Sequence, residues 1–155
     1  MNQKSYTQSK WSLADLFPDS QSPEMDAAFK QLEIETAAFE KFRPQLDEEI
    51  ESERFLQITS ALESIHNHMQ KLGGYAELWF AADTQSQPAQ TLVAKMEQLS
   101  ADVSNRVMFF SLWWKDLRDD AAQRLMENSG DLRYWLEEMR HFKPHTLSEP
   151  EEDHQ

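Results

Sequence analysis

The sequence contains no cysteine. That excludes disulfides, thiolate metal sites and thiol nucleophiles, and it fits a reducing compartment. Glycine occurs only three times. The one adjacent pair, Gly73-Gly74, offers no phosphate-cradling loop, and no Gly-x-Ser-x-Gly is present. Long hydrophobic runs are missing too. A bilayer crossing takes about 20 apolar residues, and the longest candidate, Val107 to Trp114, is far shorter. Residues 1–17 hold no apolar stretch of the kind a secretory signal uses. The expected location is the cytoplasm. Basic residues are scarce: 15 Lys and Arg stand against 28 Asp and Glu, a formal net charge of −13. Such a surface repels nucleic-acid phosphates and anionic membranes, so neither is an expected partner. It serves solubility first and is compatible with basic partners.

What is present favours helix. Hydrophobic residues make up 39% and charged residues 28%, the balance of a globular chain rather than a disordered one. Ala, Leu, Glu, Gln, Lys and Met are frequent, and all are good helix formers. The 155 residues are enough for one domain with its own core. The expected fold class is all-α, a helical bundle.

Residues 1–10 are polar and read as a flexible N-terminus. Trp11, Leu13, Leu16 and Phe17 follow as an apolar strap expected to pin that end onto the bundle. A first helix is predicted over about 23–43. Ser22 suits the cap, Pro23 the first helical position and Glu24 the positive helix end. Met25, Ala28, Phe29, Leu32, Phe39 and Phe42 give it an apolar face, and Pro44 is expected to stop it. An acidic connection covers 44–52.

The next segment has the most regular pattern. Phe55, Ile58, Leu62, Ile65, Met69, Leu72, Ala76 and Trp79 recur at alternating steps of three and four, a heptad seam that calls for a partner helix along it. Gly73 and Gly74 lie off the seam, and each costs about 1 kcal/mol against Ala in a helix. Close approach of a neighbouring helix, or a slight bend, would explain them. After a polar turn at 83–87, with Ser86 as cap, a second seam runs through Leu92, Met96, Leu99, Val103, Val107, Phe110, Trp114 and Leu117. Facing positions of the two seams keep a constant sum, as an antiparallel hairpin requires. The predicted hairpin has arms at about 53–82 and 88–117, each roughly 40 Å long at 1.5 Å per residue. Expected facing pairs are Trp79 with Leu92, Leu72 with Leu99 and Phe55 with Leu117. Shorter helices are predicted at about 119–128, opened by Asp119-Asp120 and stopped near Gly130, and at about 131–142, capped by Asp131 and ended by Pro144. Ser148-Glu149-Pro150-Glu151 reads as the cap and first turn of one more helix. The domain expected from this is 11–147, with 148–155 as the start of a connection.

No catalytic constellation emerges. A zinc hydrolase needs convergent His and carboxylate ligands with a base for the bound water. None of the five histidines, His66, His68, His141, His145 and His154, begins a His-Glu-x-x-His. His141 and His145 are separated by Pro144, and His66 and His68 point to different helix faces. They read as solvated surface. The carboxylate pairs Glu48-Glu49, Asp119-Asp120 and Glu137-Glu138 read as solvated faces and caps. Phe80, Phe109 and Trp113 lie off the seams. They are expected either to bury against the first or fifth helix or to form an interface with a missing domain, and both can hold.

Four phrases carry a resemblance: Ala81-Ala82-Asp83-Thr84-Gln85, Ser104-Asn105-Arg106, Phe109-Phe110-Ser111-Leu112-Trp113-Trp114-Lys115 and Phe142-Lys143-Pro144-His145-Thr146-Leu147-Ser148-Glu149. In this order and at these separations, the chain from about Trp11 to Glu152 resembles the N-terminal region of oligoendopeptidase F-type (thimet oligopeptidase-like) zinc metallopeptidases. The resemblance implies a helical, non-catalytic lobe that helps enclose a chamber where short peptides are cleaved. Zinc and the general base would belong to a C-terminal catalytic lobe, absent from this chain, so no catalytic, cofactor or metal residue carries over. The chain then reads as a fragment, inactive alone, whose partners are that lobe and short peptides. The alternative is a free-standing helical protein-interaction module.

Overall fold

A computed structural model of the protein describes residues 23–141. Among them there is no strand. Five α-helices occur: α1 (Pro23–Glu40), α2 (Ser52–Ala82), α3 (Gln87–Asp116), α4 (Asp119–Glu127) and α5 (Arg133–His141). The fold is an all-α bundle, as the composition and periodicity predict. The strap at Trp11–Phe17, the Ser22 cap, the stop at Pro144 and the helix start at Ser148 lie outside the described residues.

Contacts group these residues into two compact units. The first joins residues up to Ala38 with Glu63–Arg106, and the second joins Phe39–Leu62 with residues from Val107 onward. In the first unit α1 opens with Pro23 at its first position and with Glu24 and Asp26 in its first turn, where carboxylates meet the positive helix end. Met25 and Leu32 bury one face of it completely. Thr36 on the same face is fully buried, and its hydroxyl donates to the Leu32 carbonyl at 2.7 Å, so no polar atom is stranded. Arg106 on α3 forks onto Glu33 of α1 at 2.8 and 2.9 Å, and this donor pair holds the Glu33 carboxyl below its ordinary value.

The hairpin turn is built by short polar side chains. Asp83 Oδ1 accepts from the Gln85 N–H at 3.2 Å, and the Ser86 N–H reaches the Asp83 carbonyl at 3.1 Å. The Ser86 hydroxyl accepts from the Ala89 N–H at 3.2 Å, which is the cap the sequence predicts. Gln90 donates back to the Thr84 carbonyl at 2.8 Å.

The second unit is an aromatic cluster. Phe55 on α2 stacks on Phe110 of α3, with ring centroids 6.0 Å apart, and lies 5.1 Å from Trp114 and 6.0 Å from Trp113. These ring partners sit up to two turns before Leu117, the facing residue expected from the seam arithmetic. Aromatic rings reach further along a helix than aliphatic ones, and offset ring pairs add about 0.5–1.5 kcal/mol each beyond burial. Arg124 on α4 donates to the Glu48 and Ile50 carbonyls, both at 2.9 Å, and so ties down the acidic connection before α2.

Three local expectations are corrected. The first helix ends at Glu40 rather than near 43: the Phe42 N–H turns to the Phe39 carbonyl at 3.0 Å, and Pro44 sits in a 3-10 turn over Arg43–Gln45. Pro44 disfavours α conformation at Arg43, so the tightening starts before the proline itself. Asp131 caps nothing. It lies within a 3-10 turn, Gly130–Leu132, that feeds directly into α5, with Gly130 at φ 54° making the reversal. No neighbour approaches closely at Gly73 or Gly74 either: a Cβ built on each meets nothing within 4 Å. Both lie inside α2, so Gly74→Ala is expected to stabilise the protein by about 1 kcal/mol, read as a raised urea midpoint. A lower midpoint would show that the space is not free.

Candidate functional site

The two histidines of α2 do point to opposite sides, as their spacing predicts. Ser64 and His68 face α1: the Ser64 hydroxyl donates to Glu35 at 3.1 Å, and His68 Nδ1 lies 3.1 Å from the same carboxylate. His68 is thus a paired, half-buried group rather than solvated surface. A small cleft lined by Ala28, Gln31, Lys71 and Leu72 adjoins it.

At about 100° per residue, the face with His66, Gln70, Gly73 and Glu77 lies about half a turn around α2 from that side. There α2 and α3 leave a groove of about 490 Å³. Its floor is apolar and small: Met69, Gly73, Ala76, Val93 and Met96, all buried or half-buried. Its rim is polar and exposed: His66, Gln70, Glu77, Glu97 and Ser100. The open space at Gly73 belongs to this groove. The groove walls take water from the His66 ring and hold its pKa below the ordinary imidazole value, although the residue as a whole is exposed. The carboxylates on this rim are those of Glu77 and Glu97.

The three off-seam aromatics have separate fates. Phe109 is half-buried against Phe39 at 5.3 Å, with the Arg43 guanidinium 5.6 Å from its ring. Trp113 is half-buried against Phe55 at 6.0 Å and Phe110 at 5.8 Å. Its partners include the second helix, which sequence reasoning did not name. Phe80 remains 36% exposed. It lies seven residues after Gly73 and thus continues the groove face of α2 by one more turn. Three of the four phrases that carry the family resemblance perform architectural tasks here, and the fourth, at 142–149, lies outside the described residues. Asp83 to Gln85 form the turn, Arg106 ties α3 to α1, and Phe110 and Trp114 fill the second core.

The groove itself was missed from sequence. Its signal was present in the small residues Gly73 and Ala76 flanked by Met69 and Met96, since small side chains between flexible thioethers leave a depression where helices meet. Elsewhere, Tyr134, Glu137, Glu138 and His141 line a shallow open depression on α5. The phenol of Tyr134 is pushed up by its bond to Glu138 and is 71% exposed, so it offers no enclosed chemistry. Among the described residues no three His, Asp or Glu side chains converge to hold a metal ion, so they do not fit a zinc site. No described helix is long and apolar enough to cross a membrane. Compared with known proteins, the chain matches no family model, no curated protein and no solved structure.

Proposed function

We propose that this chain is the non-catalytic N-terminal helical lobe of a cytoplasmic zinc oligopeptidase. Its task is to form part of the wall of a chamber that admits short, unfolded peptides. The reading rests on one feature of the sequence: four phrases that resemble that peptidase family stand in order along the chain, and none carries catalytic chemistry. Zinc and the base that activates its water belong in this reading to a separate catalytic lobe. The chain's own residues bind and exclude.

The test is hydrolysis of a quenched fluorogenic peptide. The purified chain supplied with zinc is expected to leave the peptide intact. A catalytic lobe of the family, produced separately and mixed with it, is expected to gain activity. Chelator-sensitive hydrolysis by the chain alone would overturn the non-catalytic assignment. Coding sequence beyond Gln155 without a His-Glu-x-x-His would overturn the peptidase assignment.

A second reading, a free-standing helical interaction module, is favoured by the open groove between α2 and α3. The size of the native protein in its source cell separates the two, because a module of its own runs near 18 kDa.

A further inference from the structure

We infer that the groove between α2 and α3 is a docking site for a basic amphipathic helix. The inference does not depend on the peptidase reading, and it commits to a partner by its chemistry.

The argument begins with what lines the groove. Both walls are α-helices, whose backbone N–H and C=O groups are consumed internally. An extended peptide laid between them would find no strand edge to pair with and would leave its own backbone polar groups facing an apolar floor. A helix arrives with those groups already satisfied. The space offered is that of a third helix on a helical pair. On the other side of the pair, α1 occupies the equivalent place, held by Glu35 to Ser64 and His68 and by Glu33 to Arg106.

Length and shape agree. The groove face of α2 runs from His66 to Glu77 and is continued by Phe80, roughly 20 Å at 1.5 Å per residue, which matches a partner of about 14 residues. Gly73 and Ala76 at the centre let a partner backbone come close, and a Cβ added at Gly73 meets nothing within 4 Å. Met69 and Met96 flank that point, and their flexible thioethers adapt to branched side chains pressed against them. Phe80, 36% exposed, ends the face as an aromatic anchor.

Charge selects among apolar helices. Glu77 and Glu97 stand on opposite rims, both exposed, and neither has an ion-pair partner among the described residues. Among the described residues that line the groove there is no lysine or arginine to oppose them. The whole chain carries a formal −13. Lysine or arginine flanking the apolar stripe of the partner would meet a carboxylate on each side.

The probe is a fluorescein-labelled 14-residue helical peptide with Leu at positions spaced three and four apart and Lys on either side of that stripe. Fluorescence anisotropy with the full chain is expected to give saturable, micromolar binding. A Glu-for-Lys version is expected to bind about tenfold more weakly or worse, because like charges would face each other across the rim. Gly73→Leu fills the groove floor in open space and is expected to abolish binding while circular dichroism and the urea midpoint stay close to those of the parent chain. Glu77→Lys with Glu97→Lys, two exposed changes that do not touch the core, is expected to reverse the charge preference. Nuclear magnetic resonance shifts caused by the Lys peptide should fall on residues 66–80 and 93–100. Failure of the Lys peptide to bind overturns the inference, as does equal binding by a scrambled peptide of the same composition. Shifts centred instead on Met108 and Leu112, the exposed apolar pair one turn apart elsewhere on α3, would also overturn it. None of these outcomes bears on hydrolysis, so the inference and the peptidase reading fail separately.

Discussion

Replacing Trp114 with alanine is expected to remove about 4 kcal/mol of stability, in the range found for deleting a fully buried large aromatic. Trp114 is 0% exposed and sits at the centre of the second unit. Its ring lies 5.1 Å from Phe55 and 6.1 Å from Trp113, and the Arg140 guanidinium rests 5.5 Å from its centroid. Its indole N–H donates to the Leu136 carbonyl at 2.9 Å, which pins α5 to α3. The alanine variant loses the transfer energy, the ring contacts and this bond together. Trp114→Phe separates them: it keeps most of the apolar volume and loses the bond, so its cost is expected near 1–2 kcal/mol. Urea unfolding followed by circular dichroism measures both. An alanine variant within about 1.5 kcal/mol of the parent would mean that this core is not packed as described.

Arg140 gives the second large effect, and it acts through backbone. Its guanidinium donates to the Trp114 and Leu117 carbonyls at 2.5 and 2.9 Å and to Asp119 at 2.6 Å. Those carbonyls belong to the C-terminal end of α3, where the last turn of a helix has no partners of its own and a cation meets the negative end of the dipole. The side chain is only 13% exposed. Arg140→Met keeps the aliphatic stem and strands the carbonyls, so a loss of about 2–3 kcal/mol is expected. Arg140→Lys should recover only part of it, because a compact ammonium cannot fork across separated acceptors. The double variant with Trp114→Ala should lose less than the two single losses combined, since both residues hold the same α3–α5 junction. Full recovery by lysine would reduce the role of Arg140 to that of a point charge.

Both residues show how far the sequence could be read. The seam that contains Trp114 was legible because a buried stripe repeats every three and four residues, and every α3 position of that seam except Leu99 is buried. Ser86 was legible as a cap because capping is a local act of one hydroxyl on one N–H three residues later. Arg140 was not. Its task depends on α5 meeting the end of α3, and nothing in the local wording of Tyr134 to His141 encodes that meeting. The same holds for Asp131. It has a capping side chain in a plausible place, but the positive φ of Gly130 let a 3-10 turn run straight into the helix and left no cap to make. The candidate site divides in the same way. Phe80 stood out as an apolar residue off the seam. The groove it extends did not stand out, because a groove is written by what is small, and Gly73 and Ala76 are inconspicuous in a helical pattern.

The vacancy beside Gly73 has a further consequence. Alanine would fit at Gly73 and at Gly74, and a more rigid α2 would follow from either exchange. The positions differ in what rigidity would displace. Gly74 lies outside the groove lining, so a methyl group there competes with nothing, and the position is a free site for thermal engineering. Gly73 opens onto the groove, so any side chain there trades conformational gain against room for an occupant. Two neighbouring glycines, alike in sequence, thus divide into one that can be spent on hardening the scaffold and one where hardening and recognition compete.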